Sequence, residues 1–278
     1  APAEPARYAD LRRGPDQVPA ETVARWRAEF AGARRGALPT TGGGRTPGGA
    51  TALVTAGLDA AAEAALRRLA AEHRGSPYMV LLAALGGLLD DGRGEPGRAD
   101  LTVFAVHDTR SRAGRDTLGF FAEPLPLRLR FDRSAPLGAA VHVAREAVLA
   151  GLSRGGVPFL RLLEAAPRLA VALLRGRRPA TLVQYLAARD LWLGELRGVV
   201  LPTFQAAVPG EAHPAVLPID LDLTVERCGD AHSVAALYDP GLWSRCDVER
   251  ALHRLAATLV GADAHPARPL AELAQAAA

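Results

Sequence analysis

The chain carries a β-hairpin signature over Asp220–Tyr238, with the sequence DLDLTVERCGDAHSVAALY. In its first half, Leu221–Val225, apolar residues alternate with polar ones, which is the period of a strand with one buried face. Gly229 and Asp230 form a two-residue turn, after which Ser233–Tyr238 returns as a second strand. The stretch predicts an antiparallel pair with one wet face, so the fold must contain a sheet.

The rest of the chain mixes strand-like and helix-like patterns around this hairpin. Further strands are predicted at Thr51–Thr55, Leu101–Val106, Leu125–Phe131 and Leu182–Leu186. Helix starts are predicted at Pro19, Asp59, Ser76 with Pro77, Pro136, Val157 and Ser244. The helix over Tyr78–Leu89 is apolar nearly all round, so we expect it to be buried beneath the sheet. This order of elements predicts an α/β sandwich with a mixed sheet and flanking helices, rather than a doubly wound dinucleotide fold.

Composition excludes several classes of function. The 278 residues are 49% hydrophobic and 23% charged, as in a globular protein, and the net charge of +3 is spread along the chain. We therefore expect no nucleic-acid partner. Cys228 and Cys246 form neither a disulfide framework nor a metal-ligand spacing, so we expect a reducing cytoplasm, inert or buried thiols and no metal. The longest uncharged apolar run is too short for a membrane span.

A glycine-rich segment, Gly36–Gly49, contains three consecutive glycines at Gly42, Gly43 and Gly44. A phosphate-binding loop needs a strand before the glycines and a helix directly after them. The sequence predicts neither at this place. We therefore expect a flexible loop.

Five short stretches, in matching order and spacing, are similar to motifs of nonribosomal peptide synthetase condensation domains. The most specific is Leu118–Arg128, LGFFAEPLPLR, which resembles IGxFVNTLxLR. The other four are Tyr8–Leu11 (YADL), similar to YxDYA and followed by the Trp26 helix; Gly155–Leu162 (GGVPFLRL), similar to (H/N)QDVPFExL; Arg178-Pro179, similar to RNPLF; and Asp220–Thr224 (DLDLT), similar to FDLTL. The resemblance runs from near Tyr8 to near Ala262.

The resemblance implies one lobe of a two-lobed, chloramphenicol-acetyltransferase-like condensation domain. Residues 1–15 would be a connector from an N-terminal lobe, and residues 16–278 the C-terminal lobe. The whole domain would join a carrier-bound acyl or peptidyl thioester to a carrier-bound aminoacyl amine. The implied partners are the N-terminal lobe and peptidyl carrier proteins, with substrates on phosphopantetheine arms and no cofactor bound directly.

The HHxxxDG motif that supplies this family's catalytic histidine is absent, since no two histidines are adjacent in the chain. We therefore expect no catalytic residue in this chain, and no amide-forming activity from it alone. His107 and Asp108, at the end of a predicted strand, are the alternative catalytic pair, although a structural role is favoured. Two other functions remain open: a non-catalytic carrier-protein or partner-binding module, and half of a related CoA-dependent acyltransferase.

By resemblance, eight residues are expected at the substrate tunnel or lobe interface: Gly119, Phe121, Glu123, Pro124, Arg128, Val157, Pro158 and Phe159. Glu123 stands where the family has an asparagine. A glutamate offers only acceptors and is costly to bury unpaired. Three roles are open for it: pairing with Arg110, Arg112 or Arg128, binding the acceptor amine, or marking a degenerate site.

Overall fold

The computed structural model describes residues 7–11, 19–39, 51–90, 95, 97–114, 117–119, 121–154, 159–165, 167, 171, 179–187, 191–193, 196–198 and 219–276. The helices are α1 Tyr8–Leu11, α2 Ala20–Glu29, α3 Ala60–Glu72, α4 Pro77–Leu89, α5 Leu137–Arg154, α6 Phe159–Ala165, α7 Arg245–Ala264 and α8 Leu270–Ala276. The strands are β1 Ala52–Gly57, β2 Arg98–Asp108, β3 Ala122–Asp132, β4 Thr181–Ala187, β5 Leu191–Leu193, β6 Leu196–Gly198, β7 Leu221–Cys228 and β8 Ala231–Tyr238.

Six of these strands form one mixed sheet in the order β1-β8-β7-β4-β2-β3, and β5 pairs separately with β6. Strand β4 runs parallel to both β2 and β7, whereas β3 is antiparallel to β2 and β8 is antiparallel to its neighbours β1 and β7. The ends of β2, β4 and β7 therefore lie at the same edge of the sheet. The mixed sheet with flanking helices confirms the predicted fold class.

The predicted hairpin is present and aligned as expected. Strands β7 and β8 pair from Leu221 opposite Tyr238 to Cys228 opposite Ala231. Gly229 opens the turn with a φ of 63°, in the left-handed region that glycine enters without strain. Local sequence therefore determines this part of the sheet.

Helix α4 is the most deeply buried helix of the described part of the chain. The Ser76 hydroxyl accepts from the Met79 backbone N–H and caps its first turn. Two glycines let its neighbours approach closely. A Cβ on Gly86 would lie 3.2 Å from Phe131 Cε1, and one on Gly87 would lie 3.0 Å from Leu270 Cγ. The sheet and α8 thus pack directly against the α4 backbone.

The helices beside α4 lie on the same face of the sheet, here called the helical face. On α4, the Tyr78 hydroxyl donates to the Val183 carbonyl at 3.1 Å, and on α5 a Cβ at Gly151 would lie 3.1 Å from side-chain carbons of Leu125 and Leu127. Because side chains alternate along a strand, neighbouring positions point to the opposite side. We call that side the second face; it carries Phe104, Val106, Leu182, Gln184, Leu186, Asp222 and Thr224.

The start of the predicted glycine-rich loop is not a flexible loop. Residues 36–38 are buried, and the Gly36 N–H donates to the Thr102 carbonyl at 2.9 Å. The Ala37 N–H donates to the Leu89 carbonyl at 3.1 Å. This segment therefore lies against β2 and the end of α4, so the prediction was wrong there; residues 40–50 lie outside the described residues. Of the two states expected for the thiols, burial does not apply to Cys246, which is exposed; the Cys228 side chain lies outside what is described.

A buried polar chain links α3 to the sheet, and sequence reasoning did not find it. The side chains of Glu63 and His232 are only 7% and 5% exposed, and their carboxylate Oε2 and ring Nδ1 are 2.9 Å apart. The Glu63 carboxylate also accepts from the His232 backbone N–H. The second ring nitrogen of His232 lies 2.9 Å from the Tyr185 hydroxyl. These contacts join α3, β8 and β4 on the helical face.

We predict that His232→Leu lowers the free energy of unfolding by about 3 kcal/mol, because it leaves the Glu63 carboxylate buried with one fewer polar partner. The matched control is His253→Leu on the exposed side of α7, which should change it by less than about 0.5 kcal/mol. Urea unfolding of both variants at pH 7 measures the difference. Equal stability of the two variants would show that the contacts among Glu63, His232 and Tyr185 do not stabilise the fold.

Candidate functional site

The sequence-predicted residues converge at the sheet edge where β2 ends and β3 begins. His107 lies directly opposite Glu123 in the ladder, and Val106 lies opposite Pro124. Helix α6 is attached at the same place, since its first residue, Phe159, donates its backbone N–H to the Glu123 carboxylate at 3.2 Å. Five of the predicted residues, Gly119, Phe121, Glu123, Pro124 and Phe159, therefore lie in one region. Val157 and Pro158 lie outside the described residues.

The connection between β2 and β3 is held around Phe121, which is buried. The Thr109 backbone N–H and hydroxyl both donate to the Phe121 carbonyl, at 2.8 and 2.7 Å. The Arg110 guanidinium lies 4.2 Å from the Phe121 ring centre and donates to the Gly114 carbonyl at 3.0 Å. A cation over an aromatic face is an attractive arrangement. The described residues of this loop are therefore tied together around Phe121.

Residues of the predicted connector pack against this loop. The Tyr8 ring meets the Phe121 ring edge-on, with ring centres 4.9 Å apart. A Cβ on Gly119 would overlap the Tyr8 ring, and one on Gly114 would lie 2.8 Å from Leu11 Cδ1. Helix α1 thus contacts the β2–β3 loop, and the glycines permit that contact. Adjacent to it, Leu118 is 95% exposed.

Glu123 does not have the arginine partner that was one of its three expected roles. Among the described residues its carboxylate contacts the Phe159 backbone N–H, and no arginine lies within ion-pair distance. Arg110 instead donates its backbone N–H to Asp108 at 2.8 Å. The half-buried Glu123 side chain caps the first turn of α6 and ties that helix to β3.

Arg128 has contacts that account for it without a role at this edge. Its guanidinium pairs with Asp100, with Nε 2.6 Å from Oδ1, and it donates to the carbonyls of Glu29, the last residue of α2, and of Ala31 just after it. Its side chain is 5% exposed. Five positions along a strand place it about 17 Å from Glu123. The structure therefore does not bring Arg128 together with the other predicted residues.

The alternative catalytic pair is divided between different partners. His107 Nδ1 lies 3.0 Å from the Glu123 carbonyl oxygen. The Asp108 carboxylate accepts from the Arg110 N–H, and its side chain is 70% exposed. A catalytic dyad needs the carboxylate to orient the imidazole. The contacts of Asp108 that the structure shows are made within the loop instead.

A polar cluster on the second face was not predicted. The Gln184 Nε2 donates to both oxygens of Asp222, at 3.2 and 3.1 Å, and the Thr224 hydroxyl donates to the same carboxylate at 2.9 Å. Burial raises the pKa of Asp222, and the two donors offset part of that effect. The hairpin was expected to have a wet face, but Thr224 and Glu226 are only 1% and 5% exposed, so that expectation was wrong.

The described ranges contain neither a candidate metal site nor a candidate membrane span. His, Cys, Asp and Glu side chains do not gather there in groups of three or more that could hold a metal ion. None of the helices described combines the length and apolar character that crossing a bilayer requires.

Comparisons with known proteins find peptide synthetases similar in sequence and a condensation domain similar in fold. No protein-family model matches the chain. The chain is 31% identical over 181 residues to the phosphinothricin tripeptide synthetase PhsC of Streptomyces viridochromogenes, which covers 59% of this chain and 16% of the relative. It is 40% identical over 108 residues to the N-(5-amino-5-carboxypentanoyl)-L-cysteinyl-D-valine synthase of Amycolatopsis lactamdurans. That match covers 38% of this chain and 3% of the relative. The chain thus spans a small fraction of these relatives.

Solved structures share the fold. The SgcC5 protein from Streptomyces globisporus matches with a TM-score of 0.76 and 21% identity, over 96% of this chain and 61% of that one. The first condensation domain of the calcium-dependent antibiotic synthetase matches with a TM-score of 0.66 and 20% identity, over 91% of this chain and 52% of that one. The X-domain from teicoplanin biosynthesis, solved in complex with OxyB, matches with a TM-score of 0.66 and 23% identity, over 91% of this chain and 55% of that one. This chain therefore spans between about half and three fifths of each of these solved chains.

We predict that Arg128→Met lowers the free energy of unfolding by about 3 kcal/mol, because it removes the ion pair of a buried guanidinium and two hydrogen bonds to the Glu29 and Ala31 carbonyls. Arg130→Met is the control, since that side chain is 50% exposed, and its effect should stay below about 1 kcal/mol. Chemical unfolding curves measure both. If Arg130→Met cost as much as Arg128→Met, the assignment would be wrong.

Gly119→Ala should release α1, because a methyl group there overlaps the Tyr8 ring. We expect amide hydrogen exchange at Tyr8–Leu11 to become about tenfold faster, as expected for loss of one aromatic contact. Gly57→Ala is the control, since no atom lies within 4 Å of a Cβ at that position. Unchanged exchange in Gly119→Ala would show that the contact does not hold α1.

Proposed function

We propose that this chain, which has the fold of one lobe of a condensation domain and resembles nonribosomal peptide synthetases in sequence, takes part in amide-bond formation. It would act with an N-terminal lobe to join a carrier-bound acyl or peptidyl thioester to a carrier-bound aminoacyl amine. The observation that carries the proposal is the sheet edge around Glu123, where the motif most similar to condensation domains meets α6.

The exposed apolar side chains support a partner at this edge. Leu118 is 95% exposed, Leu160 62%, Leu186 42% and Val106 37%. They lie on the β2–β3 loop, on α6 and near the ends of β4 and β2. Large apolar side chains grouped on elements that meet at one edge are typical of a surface that another protein covers. The N-terminal lobe is the occupant that the fold implies.

In the proposal, the two lobes have different roles, because this chain lacks the residues expected to handle the amine proton. This chain has no HHxxxDG motif, and His107 contacts a backbone carbonyl. In the proposal, the group that handles the amine proton belongs to the partner lobe, and this chain forms part of the wall that aligns the two substrates. Holding two reactants in attack geometry accounts for much of the acceleration of such reactions. The substrates would arrive on phosphopantetheine arms of carrier proteins.

A second candidate is a lobe that binds a partner protein without catalysis. The observation that favours it is Glu123, which replaces the family's asparagine and whose carboxylate caps α6. The X-domain from teicoplanin biosynthesis, a neighbour in fold, forms a complex with OxyB. Reconstitution of the two lobes distinguishes the candidates.

The test mixes the chain with a separately produced N-terminal condensation lobe and with loaded donor and acceptor carrier proteins. We expect amide product, measured by mass spectrometry, only when both lobes are present. Leu160→Arg should reduce the rate at least about tenfold, because it places a charge in the apolar contact. Val260→Arg, at a 37% exposed position on α7, should leave the rate unchanged.

Two outcomes would contradict the proposal. Amide formation by the chain alone would place the catalytic group within it. A complex of the two lobes that forms no amide would favour the partner-binding candidate.

A further inference from the structure

Asp222 is a half-buried carboxylate whose partners are neutral. Its oxygens accept from the Gln184 amide and the Thr224 hydroxyl. Among the described residues, no arginine or histidine lies within ion-pair distance of it, whereas Asp100 and Asp90 each pair with an arginine. An ionised carboxylate without a positive partner is costly to bury. A cationic ligand would supply the missing charge.

The surroundings of Asp222 are suited to an organic cation rather than a metal ion. Leu186 follows Gln184 by two positions on β4, so both point to the second face. Val106 reaches the same face, because the parallel pairing of Phe104 with Leu182 places it in line with Gln184. Both aliphatic side chains are exposed. The cluster thus has a polar side, with carboxylate, amide and hydroxyl, and an apolar side.

The carbonyl oxygen of the Gln184 side-chain amide can accept a hydrogen bond from a ligand. Its Nε2 contacts Asp222 and Thr224, which leaves the carbonyl oxygen Oε1 able to accept a hydrogen bond. A primary ammonium group has three donors and one positive charge. Carboxylate and amide oxygens at one place can receive such a group, while the aliphatic side chains contact the carbon atoms beside it.

We propose that Asp222 and Gln184 bind the ammonium group of an aminoacyl substrate, with Val106 and Leu186 against its apolar part. The identity of the ligand rests on the proposed function, in which an aminoacyl amine is the acceptor. Asp222 holds the charged amine before reaction, and no bond is made or broken in this binding step. The cluster deepens the proposed function by placing the acceptor on the second face.

The test measures binding by the intact chain and requires no catalysis. Leucine methyl ester carries the ammonium group, and N-acetyl-leucine methyl ester has the same side chain without the charge. Nuclear magnetic resonance titration should show at least about tenfold tighter binding of the charged ester. Asp222→Asn should abolish this preference. Asp230→Asn, which removes an exposed carboxylate from the turn of the same hairpin, should keep it.

A second variant and a stability measurement guard against a purely structural effect. Gln184→Met keeps Asp222 and should weaken binding of the charged ester severalfold while leaving that of the acetylated ester unchanged. Because burial raises the pKa of Asp222, ionised Asp222 lowers the stability of the folded state at neutral pH. Asp222→Asn should therefore have a melting temperature at pH 7 equal to or above that of the parent chain.

Each outcome bears on one proposal. Equal affinity for the two esters, or a preference that survives in Asp222→Asn, would overturn the ammonium site even if the two lobes together form amide. A preference that depends on Asp222, found with lobes that form no amide, would keep the site and overturn the condensation function. A folded Asp222→Asn with a much lower melting temperature and an unchanged preference would make Asp222 a structural residue.

Discussion

The burial of α4 is the constraint on which the rest of the structure depends. After its first turn this helix has only aliphatic side chains and glycine, and the side chains of Val80, Leu81, Leu82 and Leu89 are fully buried. A helix that is apolar all round must be covered on every side. The sheet covers one side, through Phe131 and Leu129 against Gly86. Other helices of the chain must cover the remainder, so they gather on the helical face.

That arrangement determines where function can lie. With α3, α4 and α5 packed on the helical face, the edge around Glu123 and the exposed part of the second face at Val106 and Leu186 are left to be covered by something else. The second face also carries polar groups, above all Asp222, and a polar group removed from water needs hydrogen-bond partners. The exposed aliphatic side chains Val106 and Leu186 lie on the same face. A surface of this kind, with apolar contact area and a few placed polar groups, is typical of ligand sites.

Local features of the fold were predictable because their causes are close together in the sequence. The hairpin follows from alternation and a glycine turn, and the Asp59 and Ser76 caps follow from the residues just after them. The strand predicted at Leu125–Phe131 is likewise present, within β3.

Interactions between distant residues were not predictable in the same way. Glu63 and His232 are 169 positions apart, and neither residue carries a local signal of burial. The alternation of Leu221–Val225 predicts two faces, but it cannot show that both are covered, which is why Thr224 was expected to be wet. Arg128 was placed at the interface by its motif, whereas its position on β3 puts it beside Asp100 and α2. In each case the decisive neighbour lies on another element.

The proposal that the exposed part of the second face and its edge bind a partner is tested most directly by hydroxyl-radical footprinting with and without an N-terminal condensation lobe. The method reports the solvent exposure of individual side chains. The account predicts that oxidation of Leu118, Val106, Leu186 and Leu160 falls severalfold in the complex, while Val260, exposed on α7, keeps its rate. Protection of Val260 with no change at the other four would place the partner on α7 and contradict the account.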